Sequence, residues 1–159
     1  VIALDNLRLR CLYTPGHVDN HMCYLLENDQ VLMTGDHIMQ GSTVVIIPPH
    51  GNMKKYLASL ALLKNYAITA LAPGHGSVIT KPIAEIDALI THRLKRESKV
   101  RERLTRYAEV ALMDLTQDVY DDVAPQLHTW ASYSLLAHLI KLQEEGEAQC
   151  AAGLWSMKK

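Results

Sequence analysis

TPGHVDNH, Thr14 to His21, interrupts a run in which every second residue is apolar, LRLRCLYT at 7–14. That alternation predicts a half-buried strand, and Pro15-Gly16 predicts its end. The same design recurs twice. QVLMT at 30–34 is closed by Gly35 and followed by Asp36; ITALA at 68–72 is closed by Pro73-Gly74 and followed by His75. A glycine after a strand lets the chain turn sharply and leaves the next side chain at the sheet rim. If the three strands run the same way in one sheet, His17, Asp36 and His75 converge at the edge formed by their C-terminal ends, where open sheets carry ligands. Two imidazoles and a carboxylate suit Zn²⁺, iron or manganese. Each pair alone is a weak signal, since a lone loop histidine more often hydrogen-bonds than ligates. Three together, each ending a strand, make a metal site as good a reading as a set of polar loop residues.

Outward from these motifs, the first half mixes strands and a helix. His21–Glu27 reads as a second strand, with Asn28-Asp29 as its turn. TVVII at 43–47 reads as a short strand or extended loop, stopped by Pro48-Pro49. Asn52 is placed to cap a helix over Met53–Tyr66, with Met53, Leu57, Leu60 and Leu63 on its apolar face. The second half is helical. Pro82 to Tyr107 carries a stripe at Ile83, Ile86, Leu89-Ile90 and Leu94. Ala111–Tyr120 is a short helix, and Pro125 opens a third, ended by Gly146, with Leu127, Ala131, Leu135 and Leu139 on one face. Glu147–Met157 reads as a hairpin around Ala152-Gly153. The fold class is therefore α/β (α+β), with residues 1–85 in one domain and a winged-helix-like layout over 86–159.

The chain has 159 residues, 48% apolar and 21% charged, with net charge −1. These values suit one ordinary domain, or a small one with an appendage, and argue against disorder and against a global field drawing it to nucleic acid or membrane. No apolar run approaches 18 residues, so no transmembrane helix is expected. The chain opens VIALDNLRLR, with neither Met nor a leader, which suggests a start inside a longer reading frame. Cys11, Cys23 and Cys150 lack CxxC spacing and read as reduced thiols in a cytoplasmic protein. THRLKRESKVRERLTR at 91–106 carries seven Lys and Arg against Glu97 and Glu102. Beside a winged helix this raises nucleic-acid binding, but a solvated helix face with i, i+4 pairs is favoured. The helix that would read bases is poor in Arg and Asn. Trp130 and Trp155 read as packing anchors.

TPGHVDNH, TGDH (Thr34 to His37) and APGHG (Ala72 to Gly76) resemble the last three metal-ligand motifs of the metallo-β-lactamase superfamily. Their separations, 19 residues from His17 to Asp36 and 39 more to His75, suit its glyoxalase-II-like branch. GSTVVIIPPHGNMKKYLASL at 41–60 is similar to bacterial members of that branch, and HRLKRESKV with the tail resembles its C-terminal winged-helix domain. The resemblance implies the second half of an αββα sandwich followed by a small winged-helix-like domain. It implies a hydrolase holding two divalent metal ions, zinc first, with Fe or Mn as alternatives. His17 would bind one metal and His75 the other, with Asp36 bridging. A metal-held hydroxide would attack an ester, thioester or phosphodiester. His21, His37 and His50 are candidates for the shell behind the ligands or the pocket wall. No individual catalytic residue is assigned. The superfamily's first motif, H-x-H-x-D-H, is absent, so four ligands are missing and the site in this chain is incomplete. Expected partners are a small ester or thioester, with RNA as an alternative substrate, and a covering partner for the open sheet face, either a second copy or the missing N-terminal half. The rival reading is a nucleic-acid-binding winged-helix module whose first half is scaffold.

Overall fold

The computed structural model describes residues 1–4 and 6–158. Strands β1 (Ile2–Leu4), β2 (Leu7–Tyr13), β3 (Met22–Leu26) and β4 (Val31–Gly35) lead into helix α1 (Met53–Leu63), strand β5 (Ala70–Pro73) and the long helix α2 (Pro82–Leu104). Then come β6 (Val110–Ala111), α3 (Leu112–Val119), a 3-10 turn (Pro125–Leu127), α4 (His128–Glu144) and the hairpin β7 (Ala148–Ala151) and β8 (Leu154–Met157). The first five strands form one sheet in the order β1-β2-β3-β4-β5. Neighbours are antiparallel except β4 and β5, which are parallel. Two reversals between β2 and β4 make β2, β4 and β5 run the same way, which meets the condition for their C-terminal ends to share one edge.

Register sorts the sheet into two faces. Leu25, Leu32 and Leu71 lie in one cross-strand row and are buried. Cys11, Tyr24, Met33 and Ala72 form the adjacent row on the opposite face. Helix α1 packs into the same core as the buried row, through Met53, Tyr56, Leu60 and Leu63. Asn52 caps it, its Oδ1 accepting from the Lys55 N–H at 2.9 Å. Tyr56 takes the core position; Leu57, expected in the core from its spacing, is only partly buried. The opposite sheet face leaves Tyr13, Tyr24 and Met33 exposed, with no second layer over it among the described residues, so the sheet and α1 form a half-sandwich. The TVVII segment takes the loop alternative: it joins no strand, yet Val44 and Ile46 are buried.

Helix α2 ties the two halves together. Ile86 and Leu89 belong to the first core; Val100 and Leu104 belong to a second, with Leu115, Leu135, Leu139 and Trp155. Between them Arg93 and Glu97 occupy the same buried stripe. Ile83 and Leu94, expected on that stripe, are exposed. The stripe turns ionic where the cores meet, because partners are waiting there. Arg93 donates to the Val44 carbonyl and lies over the Tyr56 ring. Glu97 accepts from Lys141 Nζ at 2.8 Å and from His138 Nδ1 at 3.2 Å, with Arg101 at 3.0 Å. A buried carboxylate needs this much pairing. Burial pushes the Glu97 carboxyl up, but the hydrogen bonds from His138 and Lys141 outweigh it and hold the group well below the usual carboxylate range. Burial holds His138 below the ordinary histidine value, so it donates Nδ1–H as a neutral ring.

The C-terminal sheet has the order β6-β8-β7 and packs with α3 and α4 in a winged-helix arrangement. Trp155 is buried in it, as expected. Trp130 is not a packing anchor: it stands 56% exposed at the start of α4, edge-on to Tyr133. The preceding Leu127 is 51% exposed, so the expected stripe begins only beyond it. No helix among the described residues is long and apolar enough to cross a membrane.

Candidate functional site

His17, Asp36 and His75 follow the C-terminal ends of β2, β4 and β5 and so reach one edge of the sheet. Asp36 and His75 are in contact: His75 Nε2 lies 3.3 Å from Asp36 Oδ1. Both side chains are open to solvent. Gly74 makes the contact possible, because a Cβ there would stand 3.1 Å from Asp36 Oδ1.

His17 is half-buried and fixed by the TVVII loop. Its Nδ1 lies 3.1 Å from the Val45 carbonyl, so Nδ1 carries the proton and Nε2 is bare. His21 is held similarly. Its Nδ1 lies 2.9 Å from Thr14 Oγ1, whose own proton goes to Cys23 Sγ at 3.3 Å. The hydroxyl therefore accepts from Nδ1–H, and His21 Nε2 is bare as well. That Nε2 would be 3.2 Å from a Cβ on Gly35, whose φ of +49° also favours glycine. Burial, then the His17 charge, lowers the His21 pKa, against an opposing pull from Asp36.

His37 is fully buried and stacks on His21 at 5.2 Å. Its carbonyl accepts from Tyr56 Oη at 3.0 Å, and neither ring nitrogen has a partner among the described residues. Burial, then His21 and His17, lowers its pKa to about 3. It is a neutral wall beneath the rim. His50 is exposed in the loop before α1. Cys23, its thiol raised to about 11 by burial, is a small core group with no nucleophile's character.

The donors suit a divalent metal chemically: bare imidazole nitrogens, each oriented through its other nitrogen, beside a carboxylate. Yet among the described residues no three His, Cys, Asp or Glu side chains gather closely enough to hold an ion. The structure brings Asp36 and His75 together and leaves His17 apart on the same edge. Three contributors escape a reading of the sequence. Thr14 lies inside the quoted motif, but its hydroxyl role is visible only in three dimensions. Tyr56 and the Val45 carbonyl carry no local signal at all.

The basic face of α2 is largely neutralised. Arg96 pairs with Asp122 at 2.7 Å, Lys99 with Asp121, and Arg101 with Glu147 at 2.6 Å. Arg103 pairs with Asp118 at 3.1 Å and Arg106 with Glu102 at 2.6 Å. The surface is a mosaic of both signs rather than a cationic stripe.

The profile of the metallo-beta-lactamase superfamily matches residues 2–75, and that of the beta-lactamase associated winged helix domain matches 111–155. The chain is 33% identical over 145 residues to the beta-lactamase-like protein 2 homolog of Caenorhabditis elegans, covering 91% of this chain and 48% of that protein. It is 30% identical over 131 residues to an atrochrysone carboxyl ACP thioesterase of Aspergillus chevalieri, covering 77% and 41%. The fold is similar to a metallo-beta-lactamase family protein from Thermus thermophilus, with TM-score 0.83, 24% identity and coverage of 99% and 52%. It is also similar to a beta-lactamase domain protein from Burkholderia ambifaria, with TM-score 0.85, 21% identity and coverage of 98% and 50%. The chain spans about half the length of the curated relatives it matches. Its rim motifs, half-sandwich and winged helix make it a member of the metallo-β-lactamase superfamily with the associated winged helix domain.

Proposed function

We propose that this chain is the C-terminal part of a metal-dependent hydrolase of thioesters or related esters. The observation that carries the reading is the meeting of Asp36 and His75 on the sheet edge that also bears His17. His17, Asp36 and His75 would hold the divalent metal, zinc by preference, with further ligands from sequence outside these 159 residues. The bound metal supplies Lewis acidity toward the substrate's electrophilic oxygen. The chain's own groups prepare for it. The Val45 carbonyl keeps the His17 proton on Nδ1, and Thr14 does the same for His21. The glyoxalase-II-like branch and a thioester substrate draw support from the motif spacing and from the relative named as a thioesterase.

The test is titration with Co²⁺, followed by its visible absorption, on the wild-type chain and on His17→Ala, Asp36→Ala and His75→Ala. Each variant is expected to bind at least about tenfold more weakly, the scale on which ligand-shell changes act. Unchanged affinity in all three overturns the assignment. In a protein of the relatives' full length, zinc-dependent cleavage of acyl thioesters should disappear with Asp36→Ala.

A further inference from the structure

A cleft of about 420 Å³ lies between the 42–45 segment and the start of α4. Its volume is that of small-molecule sites. One wall is apolar and aromatic, with Tyr120, Leu127 and the exposed Trp130. The charged wall, with Arg93, Arg96 and His92, adjoins it, Arg96 lying over the Tyr120 ring, and no Asp or Glu among the described residues lines the cleft.

The charges on that wall are not equivalent. Arg96 is spent: its two terminal nitrogens reach both oxygens of Asp122, at 2.7 and 2.9 Å. His92 is exposed, and partial desolvation with the neighbouring Arg93 and Arg96 guanidinium groups holds its pKa below the ordinary histidine value. Arg93 is 4% exposed, has no carboxylate partner among the described residues, and leaves its buried Nε–H without an acceptor. A buried guanidinium without a counter-ion is a standing electrostatic cost, and an anion relieves it. One uncompensated charge calls for a monoanion. The half-exposed indole calls for an apolar body to cover it.

We propose that this cleft binds a small monocarboxylate with an apolar, ring-sized body, its carboxylate received by Arg93 and its body lying against Trp130. The site stands apart from the hydrolase reading, since binding needs neither metal nor turnover. It does share a wall with the rim: Val44, which holds Arg93, precedes Val45, which orients His17.

The test is a ¹⁵N–¹H NMR titration of the 159-residue chain with 2-naphthoate, and with 2-naphthylmethanol as the uncharged equivalent. Naphthoate is expected to give saturable one-site shifts in residues 42–45, 92–96 and 127–134, and the alcohol to bind at least about tenfold more weakly, the discrimination a charge-assisted hydrogen bond gives. Arg93→Met should erase that preference, while Lys95→Met, outside the cleft, should keep it. Should Arg93→Met fail to fold, Ala131→Phe, which fills the cleft, must abolish binding of both probes. Equal affinity for acid and alcohol, shifts located elsewhere, or no saturable shift in folded protein overturns the proposal. Tighter binding of the dianion 2-naphthyl phosphate overturns the monoanion assignment.

Discussion

Gly16 is where the rim that carries His17 touches the core. A Cβ there would stand 2.3 Å from Tyr56 Cα, and its φ of +144° is one that other residues rarely adopt. Gly16→Ala should therefore cost at least about 2 kcal/mol, lowering Tm by roughly 5 °C for a chain of this size. An alanine tolerated without change in a melting experiment would contradict the close approach. At this scale the sequence was informative in part. Glycine before His17, Asp36 and His75 was legible because turn chemistry is local. Tyr56 was not, since nothing near it in sequence announces that it will press on Gly16, His37 and Arg93. Arg93 was legible as a charge but not as a buried one.

Helix α2 shows how an element can follow its period and still mislead. Its buried stripe has helical spacing, but Arg93 and Glu97 hold the positions that apolar residues were expected to fill. Glu97→Ala should leave Lys141 without its buried partner and cost about 3–5 kcal/mol in denaturant unfolding. A loss below about 1 kcal/mol, the level of an exposed pair, would contradict the network. The same cluster makes stability depend on pH. His138 titrates below its ordinary 6.5 in the folded chain, so the unfolded chain takes up its proton first as pH falls. Glu97 titrates below its ordinary 4.5, so its contribution is whole above 4.5 and lost under more acid conditions. Lys141 and Arg101, both held above their ordinary values, stay charged throughout. Tm should thus fall as pH drops below 6.5, and more steeply below 4.5. His138→Gln should flatten the first part of that decline relative to wild type; an identical profile would contradict the assignment. A smaller effect belongs to α1: Asn52→Ala should cost about 1 kcal/mol through the lost cap.

At the scale of the whole molecule, two cores share one helix. The first core includes Ala137 of α4 as well as Ile86 and Leu89 of α2. Unfolding should therefore be one cooperative transition, with near-ultraviolet signals and backbone circular dichroism coinciding. Two separated transitions would mean that the halves are independent. The winged-helix layout was legible because periodicity and turn residues encode it, whereas the half-sandwich came only with the family resemblance and the common direction of β2, β4 and β5 was only a condition of the sequence reading. The cleft beside Arg93 was not legible, because it is made by three segments, 42–45, 92–96 and 120–134, that are distant in sequence. The row with partly buried Cys11 and exposed Tyr24 and Met33 belongs to this scale too, as the surface a second layer of the sandwich would cover.

The central claim is that the rim formed by His17, Asp36 and His75 is a metal site. Metal content per chain, measured by elemental mass spectrometry after zinc loading and gel filtration, tests it most directly. Wild type is predicted to retain zinc, and Asp36→Ala to lose it with the fold intact. Zinc absent from folded wild type, or retained equally by Asp36→Ala, would contradict the claim.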